Sequence, residues 1–198
     1  MPGHQPVQVD LKDRRVQYTH LPLEMIDSGD FRQLLDLWNR KRGSQRIPAR
    51  ADFDPLELKM ILPRLMLIEV VDDPPDFRYR LAGTASRELT GLDWTGHSVL
   101  DLVPRQHGLL LWNCLCDMQQ DLQPQYVSLS VISRLGEPLR YRVLRLPLGC
   151  DGETMDRVLV VQDFGTALPL LRRYFDRVRE AQVLEAVRDT LQGSPRGP

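Results

Sequence analysis

Lysine is nearly missing from this chain: only Lys12, Lys41 and Lys59 stand among 26 basic residues, and the rest are arginine. That skew reads as the mark of a GC-rich genome and assigns no mechanism. Charge of one sign is also missing. The 26 basic residues meet 27 acidic ones for a net charge of -1, which excludes a generally basic protein that coats nucleic acid by neutralising phosphates. Three cysteines cannot close a disulfide framework. The opening MPGHQPVQVDLKDRR lacks the apolar block of a secretory signal, and no apolar run approaches the roughly 18 residues of a membrane span. A cytoplasmic protein is therefore expected, with no membrane and no nucleic acid among its partners. No Gly-x-Ser-x-Gly, His-Glu-x-x-His, Walker or Rossmann pattern occurs, so no enzyme is expected. What is present is an ordinary globular composition, 42% hydrophobic and 27% charged over 198 residues. That is enough for one domain with attachments and a core of its own.

Residues 1–26 carry Pro, Gly and Gln without sustained periodicity and are expected to be a flexible arm. Asp30 and Gln33 then stand at capping-box spacing, and Phe31, Leu34, Leu35 and Trp38 repeat at helical intervals up to Gly43. A short second helix is expected from Asp54, Pro55 and Glu57 to about Leu62-Pro63. Leu65 to Val71 is nearly all apolar, as in a strand buried on both faces. Phe77, Tyr79 and Leu81 alternate with Arg78 and Arg80, and the two runs read as a hairpin. Thr84 caps a short helix ending at Gly91. A longer helix is expected over about 104–120, apolar almost all round. Tyr126–Ser133, Leu139–Leu148 and Arg157–Phe164 are three further strands. In the second of these the apolar parity switches after Val143, which suggests a bulge or strong twist. A last helix is expected over 166–192 and a disordered tail over 193–198.

This order resembles the PAS fold. The resemblance is sharpest in Trp38, Arg42, Pro48-Ala-Arg50-Ala-Asp52-Phe53-Asp54-Pro55, Leu62-Pro63, Phe77-Arg-Tyr79-Arg80-Leu81-Ala-Gly83-Thr84, Gly91, Asp93 and Thr95-Gly96. These residues are similar to those of a family of small, mostly single-domain PAS-like proteins of proteobacteria, over roughly residues 30–165. The fold class so implied is α+β: a five-stranded antiparallel sheet with helices on one face, plus N-terminal and C-terminal helices, the PAS-like domain occupying 27–165. The resemblance implies a regulatory role in bacterial signal transduction and carries over no catalytic residues. Arg50 and Asp52 are expected to pair and pin the N-terminal segment to the sheet.

Three other constellations have plainer readings. Arg40, Lys41, Arg42, Arg46 and Arg50 form a basic cluster, and Arg46-x-x-x-Arg50 is similar to the arginine half of a PilZ-type cyclic-dinucleotide site. The D/N-x-S-x-x-G segment that completes such a site is absent, so a solvated helix end is expected. His107 lies early in the long helix, where haem-binding PAS proteins place an axial His. Its offset from Pro104 is too short, and it is expected to face elsewhere. Cys114 and Cys116 fall on nearly opposite helix faces and cannot chelate one metal. Asn113-Cys114-Leu115 does not match the flavin-binding variant of the fold. No cofactor and no metal are expected.

The expected function is a non-catalytic sensory or regulatory protein whose output is contact with a protein partner. It would hold a small ligand, or a partner's surface, between the sheet and the long helix. The competing expectation is a dimerisation or interaction module with a filled core. Strand alternation assigns Tyr79, Leu81, Val127, Leu129, Tyr141 and Val143 to the inner face. From the long helix either Trp112 and Cys116 or Leu111 and Leu115 could point inward. The first pair is preferred, because a Trp beside a small thiol leaves an uneven surface where a cavity can persist. A homodimer is expected through the helices outside the sheet, the first offering Phe31, Leu34, Leu35 and Trp38 and the last Leu170, Leu171, Tyr174, Phe175, Val178, Leu184, Val187 and Leu191.

Overall fold

A computed structural model describes residues 9–11, 14–72, 75–102, 105–132, 138–177 and 180. Its strands are β1 (Val9–Leu11), β2 (Arg14–Leu21), β3 (Leu65–Asp72), β4 (Pro75–Ala82), β5 (Gln125–Ile132), β6 (Pro138–Leu148) and β7 (Arg157–Asp163). Its helices are α1 (Gly29–Arg42), α2 (Thr84–Thr90) and α3 (Arg105–Asp121), followed by α4, helical over 168–177. All seven strands lie in one antiparallel sheet of order β1-β2-β5-β6-β7-β3-β4. The five expected strands are all there, in an antiparallel α+β arrangement.

The other two come from the segment expected to be a loose arm. β2 pairs with β5 from Arg15↔Ile132 to Leu21↔Tyr126. Its signal is the alternation of Val16 and Tyr18, both buried, with Gln17 and Thr19. Without β2, β5 would leave an edge of unpaired backbone groups.

The sheet is covered on both faces, and this resolves the parity of β6. Tyr141, Val143 and Arg145 point to an inner face under α2 and α3, while Leu144, Leu146 and Leu148 point to an outer face. There is no bulge in β6: its register with β5 and β7 runs unbroken through Val143 and Leu144. Two apolar parities appear in one strand because each face buries its own set.

α1 closes the outer face. Its expected stripe of Phe31, Leu34, Leu35 and Trp38 is buried there, together with Leu37. The Phe31 ring meets Tyr126 edge-on at 6.1 Å, and Trp38 Nε1 donates to the Pro147 carbonyl at 2.8 Å. Each such side chain contributes about 1.5–3 kcal/mol by leaving water. These four residues are therefore inside their own domain and are not a surface for a second copy. In the last helix Leu171, Tyr174 and Phe175 are likewise buried and Leu170 is exposed. Val178, Leu184, Val187 and Leu191, like the end of the expected helix and the tail, lie outside the described residues.

Two local expectations also change. α1 starts from Ser28, and Asp30 forms an ion pair with Arg64 instead of a capping box. Residues 54–61 make successive i→i+3 turns rather than an α-helix, although Glu57 Oε2 does accept from the Asp54 N–H at 3.1 Å. Turns of this pitch bring Leu58 and Ile61 to the same side, and both are buried while Leu56 and Met60 face solvent. Gly108 lets α3 pass close to the chain before it: a Cβ there would sit 2.6 Å from the Val99 carbonyl oxygen.

Candidate functional site

Between the inner face and helices α2 and α3 lies a cavity of about 50 Å³. The sheet supplies Tyr18, Met66, Ile68, Tyr79, Leu129, Tyr141, Val143, Arg145, Val160 and Gln162. The helices and their connections supply Ser86, Leu89, Thr90, Leu92, Trp94, Leu102, His107, Leu111 and Phe175. Cross-strand register explains the convergence. Tyr18, Leu129 and Tyr141 form one row across β2, β5 and β6, and Gln125, Arg145, Val160 and Met66 form another across β5, β6, β7 and β3.

Of the eight residues expected at the site, Tyr79, Leu129, Tyr141 and Val143 line this cavity. The other four do not. Val127 is fully buried in the core but is not part of the lining. Leu81 is turned out by a register shift: β3 pairs Leu67 with Leu81 but Ile68 with Tyr79, so Arg80 is the extra residue of a bulge. Leu81 accordingly shares the outer parity of Leu67 and is 43% exposed. Trp112 and Cys116 are half-buried to one side, Trp112 packing edge-on against Phe77 at 5.0 Å. The Leu111–Leu115 face of α3 points inward instead, with both residues buried. That choice brings in His107, four residues before Leu111 and hence on the same face. The expectation that His107 faces elsewhere is thus corrected: it lines the cavity, its ring 5.9 Å from that of Tyr18.

The lining is unusually rich in buried polar groups. Arg145 is only 2% exposed. Its Nη1 donates to Gln125 Oε1 at 3.3 Å, and its guanidinium lies over the Tyr18 ring at 5.2 Å. Gln125 in turn donates from Nε2 to the Cys114 carbonyl at 2.8 Å, tying the arginine to α3. The Arg145 Nε, the Tyr18 hydroxyl and the Gln162 Oε1 are buried with no hydrogen-bond partner among the described residues. Among the described residues no carboxylate pairs with Arg145. Burial, with the Arg145 charge in second place, lowers the His107 pKa to about 4, so its imidazole is neutral at physiological pH. Burial likewise pushes the Tyr18, Tyr79 and Tyr141 hydroxyls upward, and all three are protonated donors there.

Sequence reasoning missed Tyr18, Arg145, His107 and Gln162. For Tyr18 the signal was the two-residue alternation in β2. For Arg145 it was the continuation of the Tyr141, Val143 parity by one more step.

Four members of the basic cluster bond to neighbouring protein groups. Lys41 pairs with Glu57 at 3.0 Å, Arg42 Nε donates to Asn39 Oδ1, Arg46 Nη2 donates to the Asp121 carbonyl, and Arg50 Nη1 donates to the Phe53 carbonyl. Asp52 accepts from the Ala49 N–H at 2.9 Å and does not pair with Arg50. Among the described residues no group of three His, Cys, Asp or Glu is placed to hold a metal ion. No helix there is long and apolar enough to cross a membrane.

A family model described as a PAS domain matches residues 26–161, well over half of the chain. The chain belongs to the PAS domain family. The sheet, α2 and α3 are the frame expected of it, and relatives with this domain are sensory signalling modules. β2 with Tyr18, and Gln162 and Phe175 beyond β7's centre, lie outside the matched segment. No curated protein matches the sequence. Among solved structures the chain is similar to the blue-light photoreceptor Aureochrome1 LOV in its dark state, with 15% identity over 67% of this chain and 94% of that one and a TM-score of 0.40. It is also similar to an RNA-binding Light-Oxygen-Voltage receptor, at 13% identity over 75% of this chain and 42% of the other, with a TM-score of 0.41. A sensory box histidine kinase/response regulator from Burkholderia thailandensis E264 matches at 13% identity over 70% of this chain and 98% of its own, with a TM-score of 0.34. Likenesses at this level do not bear on ligand or output.

Proposed function

We propose that this PAS protein is a non-catalytic sensory module that holds a small molecule in the inner cavity and signals its presence to a protein partner. The observation that carries the reading is the cavity lining itself. A packed core needs no buried guanidinium, and polar atoms left without partners in a core are destabilising. Here Arg145, Tyr18 and Gln162 all border one space. The volume of about 50 Å³ sets the scale of the occupant. A water requires about 10–15 Å³ measured in this way, so the space suits a few heavy atoms and not a haem or a flavin.

The same geometry supports a route for output. Tyr18 reaches the cavity from β2 and Phe175 from α4, so an occupant touches elements at both ends of the described chain. Its arrival would bias how these two elements pack, and a partner reading either one would sense it. Native mass spectrometry of the full chain tests the reading. A small added mass that disappears on denaturation is the expected result. A bare mass, together with no binding of any small molecule to the folded protein, would make the domain a filled interaction module instead.

A further inference from the structure

We infer that the ligand class of the inner cavity is a small organic carboxylate of about two or three carbons, anchored by Arg145. The inference rests on the reading of that cavity as a ligand site and adds the chemistry of the occupant. Arg145 is a permanent cation, and burying one without a counter-charge is costly. Among the described residues the guanidinium meets only a neutral amide oxygen from Gln125 and the face of the Tyr18 ring. No described carboxylate reaches the guanidinium, and its Nε has no acceptor. The missing partner is an anion, and it has to be small enough for about 50 Å³. Taking about 10–15 Å³ per water-sized group, that is about three to five heavy atoms, the size of acetate or propanoate.

The remaining lining fits that shape. A planar guanidinium edge matches the two oxygens of a carboxylate, with charge-assisted bonds stronger than those between neutral groups. The protonated hydroxyl of Tyr18 can donate to the same group. The Gln162 amide can donate as well once turned by half a rotation, since its oxygen has no donor to hold it in place. The short carbon tail would meet Leu111, Leu129 and Val143, all apolar members of the lining. Leu92, two residues past α2, lines the cavity and is itself exposed to solvent.

The test is titration calorimetry of the full chain with sodium acetate, propanoate and nitrate, and with the uncharged acetamide and propanamide, at constant ionic strength. Saturable binding of acetate or propanoate, at least tenfold tighter than of the matching amide and lost in Arg145→Met, is the expected result. Should Arg145→Met fail to fold, the side-chain Nε–H resonance of Arg145 in the ¹⁵N-labelled wild type gives the same information: it should shift and saturate with acetate but not with acetamide. Amides binding as tightly as carboxylates would overturn the carboxylate inference and leave the cavity a ligand site. Nitrate binding without acetate or propanoate would replace the carboxylate by an inorganic oxyanion. No binding by any of the five would overturn the carboxylate inference, and the native mass spectrum, bare or carrying an added mass, would then decide separately whether the cavity is a ligand site.

Discussion

The two faces of the sheet are built from the same strands and solve different problems. On the outer face, β6 presents Leu144, Leu146 and Leu148, all fully buried, and α1 adds Phe31 and Trp38. One polar atom in that packing, Trp38 Nε1, is bonded to a carbonyl oxygen. On the inner face the same strand presents Tyr141, Val143 and Arg145, and there a cavity borders three residues that each carry a buried polar atom with no hydrogen-bond partner among the described residues. One face shows what a core looks like when stability alone is served. The other departs from that pattern at one place, and departures of this kind concentrate at functional sites.

That contrast breaks first at Trp38. Trp38→Ala removes a large side chain and its hydrogen bond from the outer face and is expected to cost about 3–5 kcal/mol. Denaturant unfolding would show this as a lower midpoint, and binding of acetate to protein that remains folded should be unchanged. A comparable mutation on the inner face should have the opposite sign. Arg145→Met removes an unpaired buried cation and keeps most of the volume. The ligand-free protein is therefore expected to be more stable by about 1–2 kcal/mol, in line with other replacements of buried charge. A fall of similar size would mean that the Gln125 bond and the Tyr18 contact outweigh the cost of burying the charge, and the two faces would then differ less than their composition suggests.

His107 sharpens the comparison through pH. Its folded-state pKa of about 4 lies below the ordinary value of 6.5. Between those values the unfolded chain takes up a proton that the folded chain refuses. Stability is thus full above about pH 6.5 and falls as pH drops toward 4. In His107→Leu that part of the acid sensitivity should vanish from melting curves recorded between pH 7 and pH 4. The smallest effect is expected at Leu81. As the bulge turns it into solvent, Leu81→Ser should change stability by no more than about 0.5 kcal/mol. A loss of several times that would place Leu81 on the inner face, where simple alternation from Tyr79 had put it.

The element order was legible because hydrophobic period and turn residues are local signals: the five expected strands, α1, α2 and α3 all lie where pattern places them. What was not legible depends on who covers whom. β2 looked like an arm because its pairing partner, β5, is more than a hundred residues away and supplies half of the evidence that it is a strand. The apparent parity switch in β6 was the imprint of two covered faces, which a single strand cannot distinguish from a bulge. The real bulge, at Arg80, leaves no mark in an alternating run. On α3, apolar almost all round, pattern alone could not choose between the Trp112–Cys116 and Leu111–Leu115 faces. Choosing by side-chain shape excluded His107 along with the correct face. Four of the eight expected residues line the cavity because Tyr79, Leu129, Tyr141 and Val143 depend on strand alternation alone.

If the inner face binds and the outer face only stabilises, methyl and aromatic NMR spectra of the full chain during titration with sodium acetate will separate the two. Saturable shifts are expected at Tyr18, Leu111, Leu129, Tyr141 and Val143, with Phe31, Trp38, Leu144 and Leu146 silent. Shifts of equal size on both faces, or shifts confined to the outer set, would contradict that division of roles.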